Sequence, residues 1–529
     1  MQTLDKVNTI DISVIMTVHK EGRLVHRSIN SFKRALNFAQ PLRSEFIIII
    51  DKPSIDTRNY FQSYPDNDIL EYVEYGDLGP SRNHGVNLAI GKYVAFVDAD
   101  DLVCENWFKA AYDMLEANQS QKIILHPEYL LFFGDMFDSN NQVSIRKLID
   151  SSQSQYSDYN LIEHNLWSSL CFTDRLLMKA VPYRKARSGF GFEDWDFNLD
   201  SIVYGARHKT VEKTVHFTRL KKTGSLDSEK QGKHSTLSPS VLFEQPVNFK
   251  PVLKNTNYQV IVVKNYFKKL GQMLKYNLTW LYRILMAFKL ELIEPILQKL
   301  RPGYDNTIPD WLFEEWYQIH NLEPQLYPYD ASIMFNQLSD SKIIDEYFIF
   351  KQKYKLNESV TVLTEFKHIN HCFKYIAKLS TKVNVIITDF NQNLDIYNNQ
   401  EYQRLLNTDF NAKNINLIFL GNMFYYLDEN CLEKLLLRLL LQMPPGLIVN
   451  FNSKLAYKLF VKYTLALAQQ SNLKIALIDC YTDSDEISNF SNCLNQIDEF
   501  ICLNMNSLTF ICKTFGLNAK QIELVECYD

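Results

Sequence analysis

The sequence lacks the features of membrane-spanning, disulfide-stabilised and cysteine-ligated metal proteins. It contains no run approaching about 20 uninterrupted apolar residues, so we expect no integral membrane helix. Its nine cysteines are scattered without a CxxC pair or a His/Cys cluster at ligand spacing, which favours a reducing cytosol. The N-terminal segment MQTLDKVNTIDISVIMTV lacks a basic region followed by a long apolar one, unlike a signal peptide. We therefore expect a cytoplasmic protein.

A strong charge of one sign is also missing. The formal net charge is −5 over 529 residues, which gives no reason to expect a nucleic-acid partner. No fixed-period repeat indicates a solenoid. With 46% hydrophobic and 22% charged residues, the composition is that of a globular protein. A chain of this length is expected to form about two to four domains.

Apolar, β-branched runs alternate with helical patterns from residue 12 to about residue 97. The strand candidates are ISVIMTV, FIIIID and KYVAFV, and helix-length segments separate them. These runs are too apolar for a sheet with one wet face, which predicts a doubly wound, mostly parallel α/β sheet. Ligands bind beyond the carboxyl ends of such strands. Residues 17–21, Asp51 and residues 98–101 are therefore the first functional candidates.

The third strand candidate ends in a group of carboxylates, Asp98, Asp100 and Asp101. Hard oxygen ligands of this kind suit Mg²⁺ or Mn²⁺, which would neutralise a diphosphate leaving group. The alternative is a solvated turn, with Asp101 capping the next helix. Arg82 falls near the start of the preceding predicted helix, where a cation suggests an anionic partner, or else is a plain surface residue.

A second acidic cluster, GFGFEDWDF, contains Glu193, Asp194 and Asp196 among aromatic residues. Aromatic rings beside carboxylates suit a sugar site, because ring faces stack on sugars and an acid can deprotonate a hydroxyl. The alternative is an ordinary helix start, with Trp195 and Phe197 in the core. Both interpretations can hold for different residues, and Asp194 has the stronger functional claim.

Residues 11–222 resemble a family 2 glycosyltransferase with a GT-A fold. ISVIMTVHKEG is similar to the family's VIPVYNEE segment, and GFEDWD is similar to its ED motif. GPSRNHGVNLAIGKYVAFVDADD is similar to the ARNxGxxxAxGxYxxFLDxDD signature. The three motifs occur in the order that the family has, which makes the resemblance specific.

The resemblance implies an inverting transferase that uses a nucleotide-sugar donor and Mn²⁺ or Mg²⁺. Asp194 would be the general base that deprotonates the acceptor hydroxyl, and Asp100 would hold the metal. Glu193 and Trp195 would contact the acceptor. The residues implied to lie around the nucleotide and its phosphates are Thr17, His19, Glu21, Asp51, Arg82, Asp98 and Asp100.

Two positions depart from the family pattern, and a basic segment adds further candidates. Lys52 stands where many members carry an acid that reads the nucleobase, and His19 replaces the commoner Tyr, which leaves the nucleobase open. In HFTRLKKTGSL the family often has basic residues on a loop over the diphosphate, so Arg219 and Lys221 are candidates. His216 is a candidate metal ligand, although a lone His is more often structural.

The middle of the chain, residues 223–358, is predicted to be a loop and helical linker. Residues 223–256 are polar and rich in Ser, Lys and Gly. Residues 257–301 carry leucines at helical spacing, interleaved with lysines, which predicts a basic amphipathic helix. That helix would bind the inner face of the cytoplasmic membrane or pack between domains.

Residues 359–529 are predicted to form a second, Rossmann-like α/β domain. Its strand candidates are VTVLTEF, VNVIITDF, INLIFLG, GLIVNF, KIALIDC and EFICLN. The region resembles the first lobe of a GT-B glycosyltransferase, a fold whose donor site lies mainly in a second lobe. We therefore expect it to bind acceptor or partners without catalysis of its own.

The leading hypothesis is a glycosyltransferase that adds a sugar to a polysaccharide or lipid-linked acceptor in bacterial surface polysaccharide assembly. One alternative is a non-catalytic glycan-binding or scaffold protein, against which the complete set of Asp98, Asp100 and Asp194 argues. Another is a nucleotidyltransferase, which would be expected to show a Gly-rich phosphate loop after its first strand, unlike HKEGRL.

Overall fold

A computed structural model describes two α/β regions of the chain and part of the segment between them. The described residues are 10–134, 143–154, 156–221, 235–244, 308–323, 326, 331–335, 343–354, 356, 358–379, 381–389, 415–477, 493–502, 508–509, 512 and 522–524. The predicted amphipathic helix at 257–301 lies outside them. None of the described helices combines the length and apolar character that a bilayer crossing requires.

Apolar runs form the parallel half of the N-terminal sheet, in the order β3-β2-β1-β4. The strands are β1 (Ile12–Val18), β2 (Ser44–Asp51), β3 (Ile69–Val73) and β4 (Tyr93–Asp98). The helices between them are α1 (Val25–Phe38), α2 (Ile55–Gln62) and α3 (Leu78–Leu88). All of β1 is buried, as expected for a strand covered on both faces. The doubly wound prediction is confirmed, and β3 is a strand that the apolar pattern did not reveal.

The other half of this sheet is mixed and continues from β4 through β8, β6 and β7 to β10. β9 runs beside β6 and also pairs with the short β5. The strands are β5 (Leu102–Val103), β6 (Ile123–Phe133), β7 (Val143–Lys147), β8 (Cys171–Asp174), β9 (Arg207–Arg219) and β10 (Ala331–Phe335). The helices are α4 (Trp107–Glu116), α5 (Arg175–Ala180) and α6 (Glu193–Val203). This mostly parallel sheet is consistent with the GT-A fold that the resemblance implies.

The segment predicted as a linker contributes structure to the N-terminal region. Helix α7 (Asp310–His320) buries Leu312, Trp316 and Ile319 in the same core as α1 and α4. β10 then pairs in parallel with β7 at the edge of the N-terminal sheet. Residues 308–335 therefore pack as part of the N-terminal region where they are described.

The C-terminal sheet has seven parallel strands in the order β13-β12-β11-β14-β15-β16-β17. The strands are β11 (Val360–Thr364), β12 (Val383–Ile387), β13 (Ile415–Phe419), β14 (Leu447–Phe451), β15 (Asn472–Leu477), β16 (Glu499–Cys502) and β17 (Ile522–Leu524). The helices are α8 (Ile344–Lys353), α9 (Ile369–Ile376), α10 (Leu420–Met423), α11 (Glu429–Leu441) and α12 (Lys454–Gln470). The Rossmann-like prediction is confirmed, and β17 is an addition to it.

The two regions share one hydrophobic core. Helices α8, α11 and α12 pack against apolar side chains that follow β7 and surround α6. Those N-terminal side chains include Leu161, Ile162, Trp167, Phe190, Leu199, Leu237 and Phe243. At Gly189 the backbones approach so closely that a Cβ would lie 2.2 Å from the Ala466 amide nitrogen. The C-terminal region therefore packs against the buried side of α6, where Leu199 lies.

Candidate active site

The carboxyl ends of β1, β2 and β4 meet at one edge of the N-terminal sheet. We call this the N-terminal edge, because it belongs to the sheet of the N-terminal region, and define it as residues 17–21, Asp51 and residues 98–101. The parallel register places Thr17 beside Asp98. This is the place where doubly wound sheets bind ligands, and it is where the sequence placed its first candidates.

Asp51 organises the loop that leads into α3. Its carboxylate accepts hydrogen bonds from the Gly76 and Asp77 amides at 2.8 and 3.1 Å, and from the Ser81 hydroxyl at 2.8 Å. Asp51 is only 6% exposed. The contact of Asp51 with a nucleotide stays a prediction, and in this structure its carboxylate holds protein groups.

Arg82 and Asp98 form a buried ion pair at the N-terminal edge. Arg82 Nη2 donates to Asp98 Oδ1 at 2.8 Å, and the guanidinium lies 5.0 Å from the Tyr183 ring centroid. Burial, the largest single effect, would lower the pKa of Arg82, but Asp98, Tyr183, Glu193 and Asp194 together outweigh burial and raise that pKa. Burial likewise opposes the charge on Asp98, while Arg82 and a hydrogen bond from Ser169 hold its pKa below the ordinary value. Both groups are therefore charged at neutral pH.

Asp100, Glu21 and Lys221 form the next layer of charges. Lys221 Nζ lies 2.6 Å from Asp100 Oδ2. Burial and the neighbouring Asp101 carboxylate raise the pKa of Asp100 to about 6, with Lys221 opposing them. Burial and then Asp100 raise the pKa of Glu21, whose carboxylate accepts a hydrogen bond from the His19 amide at 2.6 Å. A further cation beside Asp100, Asp101 and Glu21 would reduce the electrostatic repulsion among these carboxylates.

Asp101 and Arg219 connect the N-terminal edge to the linker helix α7. Asp101 Oδ2 lies 2.8 Å from His216 Nε2, and Asp101 Oδ1 accepts from the Arg219 amide at 2.8 Å. The Arg219 guanidinium donates to Glu323, which is 0% exposed and also accepts two hydrogen bonds from Arg27, at 2.6 and 2.7 Å. In this structure the Arg219 guanidinium binds Glu323, three residues after the end of α7, and its predicted contact with the diphosphate stays a prediction.

The ED motif forms the first turn of α6, as the alternative of a helix start predicted. The residue before it, Phe192, has a left-handed backbone with φ of 64°. Asp194 Oδ2 accepts a 2.9 Å hydrogen bond from Asn165 Nδ2. Glu193 and Asp194 both contribute to the raised pKa of Arg82, so the structure brings the ED motif to the same site as Asp98.

Trp195 lies between the candidate site and the C-terminal region. Its Nε1 donates to the Leu161 carbonyl at 2.9 Å, and its ring packs against the shared core. The guanidinium of Arg438, on α11, lies 5.9 Å from the ring centroid. These contacts favour the core interpretation of Trp195, and its contact with an acceptor stays a prediction.

The acidic groups at the N-terminal edge fit a metal held partly by the donor. In the part of the chain that the structure describes, no three His, Cys, Asp or Glu side chains are grouped as a complete metal site. Asp100 could supply one hard oxygen ligand, with phosphate oxygens and water supplying the rest. His216 is 1% exposed and its Nε2 faces Asp101, so ligation by His216 would require that pair to separate.

Several site residues were not identified from the sequence. Asn165 and Ser169 contact Asp194 and Asp98, and Glu323 binds two arginines. Asp196 accepts hydrogen bonds from the Ser238 amide and hydroxyl at 3.2 and 2.6 Å, which ties α6 to residues 235–244. Asn165, Ser169 and Glu323 lie in no recognisable motif, whereas Asp196 belongs to the second acidic cluster of the sequence. A buried glutamate such as Glu323 is unusual, so a prediction of burial could have identified it.

Comparisons with known proteins agree with this geometry. Residues 13–129 match the sequence profile of the glycosyl transferase family 2. The minor teichoic acid biosynthesis protein GgaB of Bacillus subtilis (strain 168) is 26% identical over 156 residues, which cover 28% of this chain and 17% of GgaB. The poly(ribitol-phosphate) beta-N-acetylglucosaminyltransferase TarP of Staphylococcus aureus (strain N315) is 31% identical over 118 residues, which cover 21% of this chain and 35% of TarP.

The chain is also similar to solved structures, among them a complex of Staphylococcus aureus TarS. The crystal structure of S. aureus TarS 1-349 in complex with UDP-GlcNAc matches 66% of this chain and 94% of that chain, at 12% identity and a TM-score of 0.32. The matched segments span less than two thirds of the two curated relatives, as their coverage figures state. The profile match lies wholly in the N-terminal region, where the strand-end carboxylates are.

Proposed function

Because residues 13–129 form a family 2 glycosyltransferase domain, we propose that the protein transfers a sugar from a nucleotide-sugar donor to a glycan hydroxyl with inversion. The acceptor would be a polysaccharide or a lipid-linked glycan of a bacterial surface polymer. The similarity to GgaB, a minor teichoic acid biosynthesis protein, and to TarP, a poly(ribitol-phosphate) beta-N-acetylglucosaminyltransferase, supports this acceptor class.

The observation that carries the proposal is geometric: residues 165–169 donate hydrogen bonds to the carboxylates of both Asp194 and Asp98, and Asp98 is paired with Arg82. Asp98 and Arg82 would face the donor, and Asp194, on the first turn of α6, would take the proton from the acceptor hydroxyl. Nη1 of Arg82 is buried without a hydrogen-bond partner among the described residues, which suits a phosphate oxygen of the donor. Neither role needs a covalent intermediate.

The leaving diphosphate would be stabilised by charge. Bound Mn²⁺ or Mg²⁺ would act as a Lewis acid on the phosphate oxygens, with Asp100 as its protein ligand. Lys221, now 2.6 Å from Asp100, would then be released towards the diphosphate. Glu21 and His19 would hold the loop beside the nucleotide. The metal and the donor sugar are parts of the proposal that activity assays must establish.

A panel of nucleotide sugars, assayed with and without Mn²⁺ against surface-polymer and lipid-linked acceptors, tests the proposal. Asp194→Asn is expected to abolish transfer while the donor still protects the protein against thermal unfolding, because only proton transfer is lost. Asp200→Asn, two turns along α6, is the matched control. Near wild-type turnover by Asp194→Asn would remove its role as base, and donor binding without any turnover would favour a binding protein.

Association with the inner membrane surface is a separate part of the proposal. Lysines of residues 257–301 would meet anionic headgroups, and their leucines would enter the boundary. Flotation of the full chain with anionic liposomes at low salt is expected to carry the protein upward. Failure to float would leave the amphipathic sequence as an element that packs between domains.

A further inference from the structure

One segment, residues 165–169, contacts both carboxylates on which the proposed function rests. Asn165 donates to Asp194 Oδ2 at 2.9 Å, and the Ser169 hydroxyl donates to Asp98 Oδ2. Four positions separate the two donors, so a rigid segment would fix the two carboxylates relative to each other. We call residues 165–169 the bridging segment.

The middle of the bridging segment is anchored in the shared core through Trp167. Trp167 is 3% exposed, and its Nε1 donates to the Ile149 carbonyl at 2.8 Å. Its ring stacks on His208 with centroids 4.0 Å apart and on His126 at 5.7 Å. A large buried side chain with a satisfied polar atom resists movement, so the donors on either side of it are held in place.

The amide of Asn165 has one orientation that satisfies both of its neighbours. A carboxylate only accepts hydrogen bonds, so Asn165 presents its NH₂ group to Asp194. Its oxygen then accepts from Asn198 Nδ2 at 2.9 Å. Asn198 lies one turn after Asp194 on α6. The Asn165 amide is thus held at both ends by the helix that carries the proposed base.

A second hydrogen-bonded chain joins the end of the bridging segment to α6. The Leu170 carbonyl only accepts, so His126 Nδ1, at 3.2 Å, donates to it. His126 Nε2 lies 2.9 Å from His208 Nδ1, and His208 Nε2 lies 2.8 Å from the Ser201 hydroxyl, which donates to the Asn198 carbonyl of α6 at 2.8 Å. Burial lowers the pKa of His126 to about 3 and that of His208 well below its usual value, so both rings are neutral.

We propose that the bridging segment positions both halves of the reaction. Asn165 fixes the rotation of the Asp194 carboxylate towards the acceptor, and Ser169 fixes Asp98 towards the donor. Both are positioning residues, since they act through carboxylates. The inference rests on the proposed function, in which Asp194 is the base and Asp98 lies on the donor side. It adds that two residues of one five-residue segment have separate roles, Asn165 on the acceptor side and Ser169 on the donor side.

Steady-state kinetics of the full chain separate the two roles, using the nucleotide sugar with the highest turnover in the panel. Asn165→Ala is expected to lower kcat for transfer roughly 10- to 100-fold, the value of a hydrogen bond to a charged group, with the KM for donor nearly unchanged. Ser169→Ala is expected to raise the KM for donor several-fold with a smaller change in kcat, because Arg82 still holds Asp98. His164→Ala, exposed in the same loop, is the control.

A double-mutant cycle with Asp194→Asn distinguishes failure of this inference from failure of the proposed function. If Asn165 acts through Asp194, Asn165→Ala adds little to the residual rate of Asp194→Asn. An equal loss in both backgrounds, or parallel losses of kcat, donor binding and melting temperature in both alanine variants, would overturn the positioning role alone. Wild-type turnover by Asp194→Asn would instead remove the proposed base, whatever Asn165→Ala does.

Discussion

The two sheets share a strand order around their centre but carry different chemistry at their carboxyl ends. The N-terminal sheet contains the order β3-β2-β1-β4, and the C-terminal sheet contains the equivalent order β13-β12-β11-β14. At the N-terminal edge, carboxylates are paired with buried or partly buried cations, as in Arg82–Asp98 and Lys221–Asp100. The corresponding edge of the second sheet, residues 364–365, 388–389 and 452–453, is called here the C-terminal edge.

Groups at the C-terminal edge largely satisfy one another. Thr388 Oγ1 lies 2.7 Å from Ser453 Oγ, and Asn452 Nδ2 lies 2.9 Å from His368 Nε2. Glu365 accepts from the Lys454 amide at the start of α12 at 3.2 Å, where a phosphate would otherwise bind. The comparison teaches that strand order supplies a place for a ligand, whereas coupled charges supply the chemistry.

Replacing Glu323, which binds Arg219 beside the N-terminal edge, and Glu365 at the C-terminal edge tests whether this difference in charge coupling is real. Glu323→Ala is expected to cost about 3 to 5 kcal/mol of unfolding free energy, because Arg27 and Arg219 lose their shared counter-charge. Glu365→Ala is expected to cost about 1 kcal/mol, since it loses a helix cap and an ion pair with Lys367, which is 58% exposed. Urea unfolding measures both. Equal costs would break the comparison.

The junction between the regions is tested by paired glycine substitutions. Gly189 has φ of +78°, and an added Cβ would meet the backbone of Ala466, whereas Gly205 has φ of +91° and open space around it. Gly205→Ala is expected to cost about 1 kcal/mol from backbone strain, and Gly189→Ala about 2 to 4 kcal/mol because overpacking adds to strain. Similar melting temperatures for the two variants would mean that the backbones at Gly189 and Ala466 are not closely packed.

Sequence patterning predicted both sheets because strand burial is a local property. Apolar runs such as ISVIMTV and VNVIITDF predict buried strands, and this prediction requires no information about the elements that pack against them. β3 was missed because its residues, ILEYV, are only partly buried and carry a charge. Asn165 and Glu323 were missed for a different reason, since their partners lie 29 residues away, at Asp194, and 296 residues away, at Arg27. Pairing over such distances is decided by tertiary packing alone.

Turnover is expected to respond to one strand-end aspartate and not to the other. Asp98→Asn removes the counter-charge of buried Arg82 and should lower kcat/KM roughly 10- to 100-fold, or about 1.5 to 3 kcal/mol. Asp389→Asn loses charge from a carboxylate that accepts the Phe366 amide at 2.7 Å, and should change kcat/KM less than about threefold. A large loss in Asp389→Asn would indicate a second site at the C-terminal edge.

The last expected effect concerns the buried carboxylate of Asp196, on the side of α6 that faces Arg438 of the C-terminal region. Burial raises the pKa of Asp196 to about 6 from an ordinary 3.8, with Ser238 opposing it. Between these values the folded state binds a proton that the unfolded state has released, so this group lowers the unfolding free energy as pH rises from about 4 to 6. Asp196→Asn lacks this titration. Its stability relative to the wild type is therefore expected to increase across that window by up to about 3 kcal/mol and then to stay level. Parallel melting-temperature curves for the two proteins from pH 4 to 8 would show that Asp196 titrates normally, and that the junction behind α6 is open to water.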